Sequence, residues 1–229
     1  MDRRRFIGTT LAASVALFNF PRARSAEGGA QAPLPKRRRT RVAFMLGEHA
    51  NVIDTCGPWE VFQDAASPDG DDVGFELYTV APEEGPIEMT GGLRVLPKYT
   101  IKNAPQPNVI VVPAHKSTGE SREWLVQASG GTDVTMSVCT GAFQLARAGL
   151  LKGIPATTHH EFFDSFAKEF PDIELRRGLR FVDSGRIATA GGLTSGIDLA
   201  LHIVSRYHGV ETATATAAYM EYSSDAWRA

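Results

Sequence analysis

Apolar runs broken by short polar loops set out the elements of this chain. Val42-Ala-Phe-Met-Leu46 and Val109-Ile-Val-Val112 are unbroken apolar stretches, the pattern of strands buried on both faces of a parallel sheet. Residues 75–80 add a strand with Phe75, Leu77 and Tyr78 among polar neighbours, and residues 134–138 another short buried strand. Two hairpins are predicted: residues 87–96 around Gly91-Gly92, and residues 179–182 with 186–189 around Asp183-Ser184-Gly185. Helical spacing follows Pro58, which suits a first helical position, with Trp59, Val61 and Phe62 inward. It recurs over 121–129, anchored by Trp124 and Leu125, and over 142–151, with Phe143, Leu145, Ala146 and Leu150 inward. A short strand near Pro155 precedes a helix over 161–170. Leu193, Ile197, Leu201 and Val204 stripe a helix over 193–207, and 210–222 is the last. Strands and helices alternate throughout. This predicts an α/β fold with a mostly parallel sheet, and 229 residues suit one such domain.

The candidate chemistry centres on Cys139, between the strand 134–138 and the helix 142–151. Ser137 and Gly141 flank it two positions away on each side. A sharp strand-to-helix turn needs small residues there, because larger ones clash with the turn. Such a turn lifts the sulfur to the carboxyl edge of the sheet and aims it at a helix N-terminus, which favours thiolate and predicts a depressed pKa. The plain alternative is a buried core cysteine, which has no need of small flanking residues.

Other groups come from other strand ends. Asp54 follows the first strand and has two readings: a helix-capping residue, or a group projecting into the crevice. The loop after residue 112, Ala114-His115 onward, offers backbone N–H groups for an oxyanion site. His159 ends a short strand on the crevice side, as a structural or site-lining residue. His159-His160-Glu161 is not a metal motif, because adjacent strand residues face opposite ways and no ligand spacing is present. No metal is expected. Of the two cysteines, Cys56 is read as packing into the core behind its helix, with a Cys56–Cys139 bridge as the alternative.

The first 25 residues read differently. Asp2-Arg-Arg-Arg-Phe-Ile7, a modest apolar run to Phe20 and Ala23-Arg-Ser-Ala26 form a twin-arginine export pattern, too short to span a bilayer. Residues 26–40 are a linker carrying Lys36-Arg-Arg-Arg39, read as a solvated arm, and 41–229 the folded domain. Ten of the 24 Lys and Arg lie in the first 41 residues, against two of the 26 Asp and Glu. The body therefore carries about −10, which makes it a poor nucleic-acid binder, and no nucleic-acid partner is expected. The expected location is the periplasm, with no stable membrane insertion.

Residues 137–159, Asp54-Thr-Cys-Gly-Pro-Trp-Glu-Val-Phe62 and Ala190-Gly-Gly-Leu-Thr-Ser-Gly-Ile-Asp198 resemble, in order, the nucleophile, first-helix and last-helix motifs of the ThiJ/PfpI superfamily, related to class I glutamine amidotransferases. The resemblance covers about residues 41–210. It implies a flavodoxin-like three-layer sandwich with the cysteine on a nucleophile turn, a homodimer, and no cofactor. Within the superfamily the chain looks closest to isonitrile hydratases and to the sensing domain of AraC-type regulators. The regulator role fits an exported chain without a helix-turn-helix poorly. By position, Cys139 stands for the nucleophile, Asp54 for the acid beside it and Thr140 for the residue after it. Ala114, His115, His159 and Gly192 would bind substrate or oxyanion. Thr140 replaces the histidine of the proteases, and Ala114-His115 replaces two glycines common in relatives. The implied activity is cysteine-dependent hydration or hydrolysis of a small electrophile, with a ligand- or oxidant-sensing protein as the competing class.

Overall fold

A computed structural model of the protein describes residues 31–228; the export pattern at 1–25 lies outside them. The elements in order are β1 (Thr40–Met45), α1 (Val52–Gln63), β2 (Phe75–Ala81), β3 (Ile87–Glu88), β4 (Arg94–Val95), β5 (Tyr99–Thr100), β6 (Val109–Val112), α2 (Gly119–Ser129), β7 (Val134–Ser137), α3 (Gly141–Arg147), β8 (Pro155–Ala156), α4 (Phe163–Glu169), β9 (Glu174–Leu175), β10 (Phe181–Asp183), β11 (Ile187–Ala190), α5 (Ser195–His208) and α6 (Val210–Tyr219). Seven strands form one sheet in the order β10-β11-β7-β6-β1-β2-β5, parallel except for the β10–β11 hairpin. The predicted β3–β4 hairpin is antiparallel and separate, and the strand at Pro155 pairs only with β9.

The alternation along each strand builds two cores. Val42, Phe44, Val109, Val111, Val134 and Met136 face α1, α5 and α6. Ala43, Met45, Ile110 and Val112 face α2, α3 and α4, where Leu125, Leu145 and Phe166 are fully buried. Covering both faces requires the continuous apolar strands seen in the sequence. The result is the expected flavodoxin-like three-layer sandwich.

Several boundaries differ from expectation. α1 starts at Val52, so Pro58 lies inside it rather than at its first position. Cys56 lies within α1 on its exposed side, not packed in the core. α3 ends at Arg147, because Gly149 adopts φ 75°, which an L side chain resists. Leu193 lies before α5, at φ 54° and 39% exposed, not on the helix stripe. The segment before β1 is docked rather than free: Leu34 N–H donates to Arg206 O at 2.8 Å, and Arg37 pairs with Asp133.

The chain runs outward from β1 to β2, then returns to β6 on the other side of β1. This reversal opens a crevice at the carboxyl ends of β1 and β6, the usual ligand position in such sheets.

Candidate active site

β7 delivers Cys139 to this crevice. Its backbone sits at φ 58°, a region that strains a residue with a Cβ by about 1–3 kcal/mol and persists only where neighbours fix it. The neighbours are identifiable. Cys139 N–H donates to Gly191 O at 2.7 Å, and the buried Thr158 hydroxyl donates to Cys139 O at 2.9 Å. Val138 N–H reaches Val112 O at 3.0 Å. Gly141 packs so close to β6 that a Cβ there would stand 2.0 Å from Val112 O. The small-residue requirement read from the sequence thus has a definite cause at Gly141. Ser137 is also fully buried.

Asp54 comes from the first turn of α1 and is fully buried. It is not the cap. Asn51 is, accepting from the N–H groups of Ile53 at 3.1 Å and Asp54 at 3.3 Å. The Asp54 carboxyl is thereby free to cross to the β6 loop, where Oδ2 accepts from Ala114 N–H at 3.1 Å. The Cys139 thiol faces the same carboxyl, whose buried Oδ1 has no hydrogen-bond partner.

The electrostatics reverse one expectation. Burial, followed by the Asp54 charge, pushes the Cys139 thiol up to about 11. The N–H groups of Thr140 and Leu193 and the Thr140 hydroxyl pull the other way and are outweighed. The thiol is therefore not depressed. α3 has seven residues, too short a dipole to offset desolvation of a sulfur that is 6% exposed. Burial also pushes Asp54 up to about 7, against the lowering effects of Ala114 and then Cys139. Near neutrality the thiol keeps its proton while Asp54 is divided between its protonated and charged forms, and the charged form can receive the thiol proton.

The remaining candidates divide. Ala114 N–H is engaged by Asp54, so it is not open to an oxyanion. His115 turns its Nδ1 onto Pro113 O at 2.8 Å; a carbonyl only accepts, so Nδ1 carries the hydrogen and Nε2 is a buried lone pair without a partner. Burial holds this imidazole below its ordinary value. His159 rests on Gly192, where a Cβ would meet its Cδ2 at 2.2 Å. Its Nδ1 accepts from Glu161 N–H at 3.3 Å, and it stacks on His160 with ring centroids 4.4 Å apart. The two rings do not face opposite ways, because a 3-10 turn, not a strand, carries them. Leu193 N–H and the Thr158 hydroxyl were not legible as site groups. Among the described residues no cluster of ligands could hold a metal ion. A cavity of about 820 Å3 opens on the same sheet edge, lined by Glu48, Glu83, Glu84, Glu120, Glu123 and Lys116, but Cys139 and Asp54 are not in its wall. It is an acidic recess beside the reacting groups rather than their site.

Both cysteines are free, Cys56 exposed and Cys139 buried. Titration with a thiol-reactive disulfide at pH 8 should find two thiols per chain without reductant, one reacting fast and one slowly. A count of zero would mean that a bridge has formed and that the free-thiol site is not the resting form.

A model of the DJ-1/PfpI family matches residues 40–206. The chain belongs to that family. Among curated DJ-1/PfpI relatives, isonitrile hydratase of Pseudomonas putida is 30% identical over 189 residues, covering 80% of this chain and 78% of the relative. The HTH-type transcriptional regulator GbdR of Pseudomonas aeruginosa is 26% identical over 188 residues. The chain spans about half that regulator's length, 51%. A ThiJ/PfpI family protein from Pseudomonas syringae superposes with a TM-score of 0.73 at 25% identity, covering 90% of this chain and 84% of that one.

Proposed function

We propose that this protein is a cysteine-dependent hydratase or hydrolase of a small, electrophilic molecule, similar in chemistry to isonitrile hydratase. The observation that carries the reading is the Cys139–Asp54 pair. A nucleophile on a strained turn stands beside a buried carboxyl poised at about 7, which can take and return a proton at neutral pH. As the sulfur attacks an electrophilic unsaturated carbon, such as an isonitrile carbon, an S–C bond forms and the thiol proton passes to Asp54. Asp54 returns it to the substrate's electron-rich atom. Water then adds to the same carbon and the S–C bond breaks, restoring the thiol; the sum is addition of one water. Thr140 and Leu193 N–H groups face the sulfur and stabilise negative charge as it develops there. The acidic recess alongside disfavours anionic substrates. No step calls for a cofactor.

We further propose export by the twin-arginine route, on Arg3-Arg4-Arg5 and the apolar run that follows, and a homodimer, on the family resemblance. The regulator relatives favour one alternative, ligand sensing without turnover. A peroxide sensor is disfavoured by the thiol at about 11, because the thiolate is the oxidisable form.

Screening isonitriles, α-oxoaldehydes and amides tests the reading. Turnover should appear with at least one class and fall to background in Cys139→Ala. Asp164→Asn, which alters an exposed carboxylate on α4, should leave it unchanged. Tight binding without turnover would transfer the protein to the sensing class.

A further inference from the structure

The loop 191–194 docks directly on the nucleophile. Gly191 O accepts the Cys139 N–H at 2.7 Å, and Gly191 N–H donates back to Arg180 O at 2.9 Å. Two residues on, Leu193 stands at φ 54° with its N–H on the Cys139 sulfur. A leucine keeps such a conformation only where its surroundings over-determine it. Leu193 is 39% exposed, and its carbonyl accepts from Gly196 N–H at 3.1 Å, which anchors it on the α5 side only. The next residue, Thr194, is positioned to anchor it further. It precedes α5, yet its hydroxyl caps no backbone N–H. It accepts instead from both terminal nitrogens of Arg180, at 3.4 and 3.3 Å.

Arg180 is itself fixed from the other side. Its Nε donates to Asp198 Oδ2 at 2.6 Å, and a terminal nitrogen contacts the same oxygen. Asp198 is fully buried on α5, and its Oδ1 accepts the Ser224 hydroxyl at 2.8 Å. Arg180 also reaches the Tyr222 hydroxyl at 3.4 Å. A buried ion pair of this kind adds little to stability compared with apolar residues of the same volume. What it adds is direction: a planar fork holds two partners at set angles, which an ammonium cannot do.

We propose that Arg180, anchored by Asp198, is a positioning residue for the nucleophile: its guanidinium pins Thr194, its carbonyl pins Gly191, and between them Leu193 N–H is held on the Cys139 sulfur. The inference deepens the reading of Cys139 as the reacting group. Two N–H donors then converge on one sulfur from different elements, Thr140 from the β7–α3 turn and Leu193 from the β11–α5 loop. Freed of Thr194, Leu193 relaxes toward an ordinary φ and its N–H leaves the sulfur. Arg180 touches no reacting atom and acts only through this loop.

The test needs no substrate, so it stands apart from the proposed activity. In a Cys56→Ser background, the rate of Cys139 alkylation by iodoacetamide is followed against pH in the full chain. Arg180→Lys keeps a cation for Asp198 but loses the fork. Its alkylation rate at a fixed pH should fall about 3- to 10-fold, with the midpoint moved to higher pH. Thr194→Val, which leaves the ion pair intact, should shift both in the same direction by less, since its contacts are long, and should keep the native melting temperature. Arg147→Gln, which removes the surface bridge to Glu169 and the cation's contact with the Phe143 ring, should shift neither. Loosening or unfolding bares the sulfur and speeds alkylation, so the direction of the change separates positioning from damage. Unchanged profiles in both Arg180→Lys and Thr194→Val, or faster alkylation in Thr194→Val, would overturn the proposal. If Arg180→Lys does not fold, Thr194→Val decides alone. Absence of turnover in the native protein would instead count against the hydratase reading.

Discussion

Asp54→Asn should unfold at a higher temperature than the native chain at pH 8, and should turn substrate over at least about 100-fold more slowly. The stability half follows from the burial of a carboxyl that lies at about 7 in the fold and starts from 3.8. Here the folded state holds its proton more tightly than the unfolded state. Between about pH 4 and 7 the unfolded chain binds fewer protons than the native one, so stability falls as pH rises through that window and levels off above it. A displacement of this size is worth on the order of 4 kcal/mol, an upper figure because local rearrangement relieves part of it. Asparagine carries no charge to desolvate and keeps an oxygen for Ala114 N–H. The gain should be absent at pH 4 and complete near pH 8, raising the melting temperature by several degrees for a chain of this length. The activity half follows because an amide cannot accept the thiol proton. A calorimetric scan at both pH values, with turnover measured beside it, tests the two together. Equal melting temperatures for variant and native protein at pH 8 would show that the carboxyl is not held at so high a value.

Gly141→Ala should be the most damaging single-methyl change at the site. Its Cβ would stand 2.0 Å from Val112 O, 3.0 Å from Val112 C and 3.1 Å from Pro113 C. All three are backbone atoms of the central strand or its continuation, so no side chain can swing aside. Relief requires β6 and β7 to part or the turn to lift, which costs about 3 kcal/mol or more. At this chain length that lowers the melting temperature by roughly 6–12 °C. It also moves Cys139, and turnover should fall with it. Gly119→Ala is the comparison. A Cβ there meets nothing within 4 Å, and the helix start gains from reduced freedom in the unfolded chain. Its melting temperature should be unchanged or slightly higher. A Gly141→Ala protein that melts within about 2 °C of the native one would show that the strands can yield.

The fold was legible because burial on both faces leaves an unambiguous trace. Val42 to Leu46 and Val109 to Val112 are apolar without interruption, and each lies at 0–1% exposure. The nucleophile turn was legible for a related reason: backbone packed against Val112 O admits only hydrogen at position 141, and such a need shows as glycine. The ionisation of Cys139 was not legible. It is the balance of desolvation, one carboxylate, two N–H groups and the Thr140 hydroxyl, and that balance depends on distances no pattern encodes. Leu193 was misplaced because leucine at helical spacing argues for a helix, whereas here loop contacts override the propensity. Cys56 was misplaced because Pro58 marked the wrong helix start. α1 begins at Val52, six residues before Pro58, and Cys56 lies on its exposed side. The resemblance supplied Asp54's neighbour, and the structure supplied what frees Asp54 for it, the capping of α1 by Asn51.

The high thiol pKa has a consequence for the lifetime of the protein as well as for its chemistry. A thiol displaced from 9.0 to about 11 holds roughly a hundredth of the thiolate that an exposed cysteine holds at the same pH. Towards oxidants, metals and stray alkylating agents the folded chain is thus less reactive at Cys139 than the unfolded chain is. The fold acts on this sulfur as a protecting group does in synthesis: it masks the thiol during storage, and deprotection is confined to the moment when an electrophile sits against the sulfur and Asp54 takes the proton.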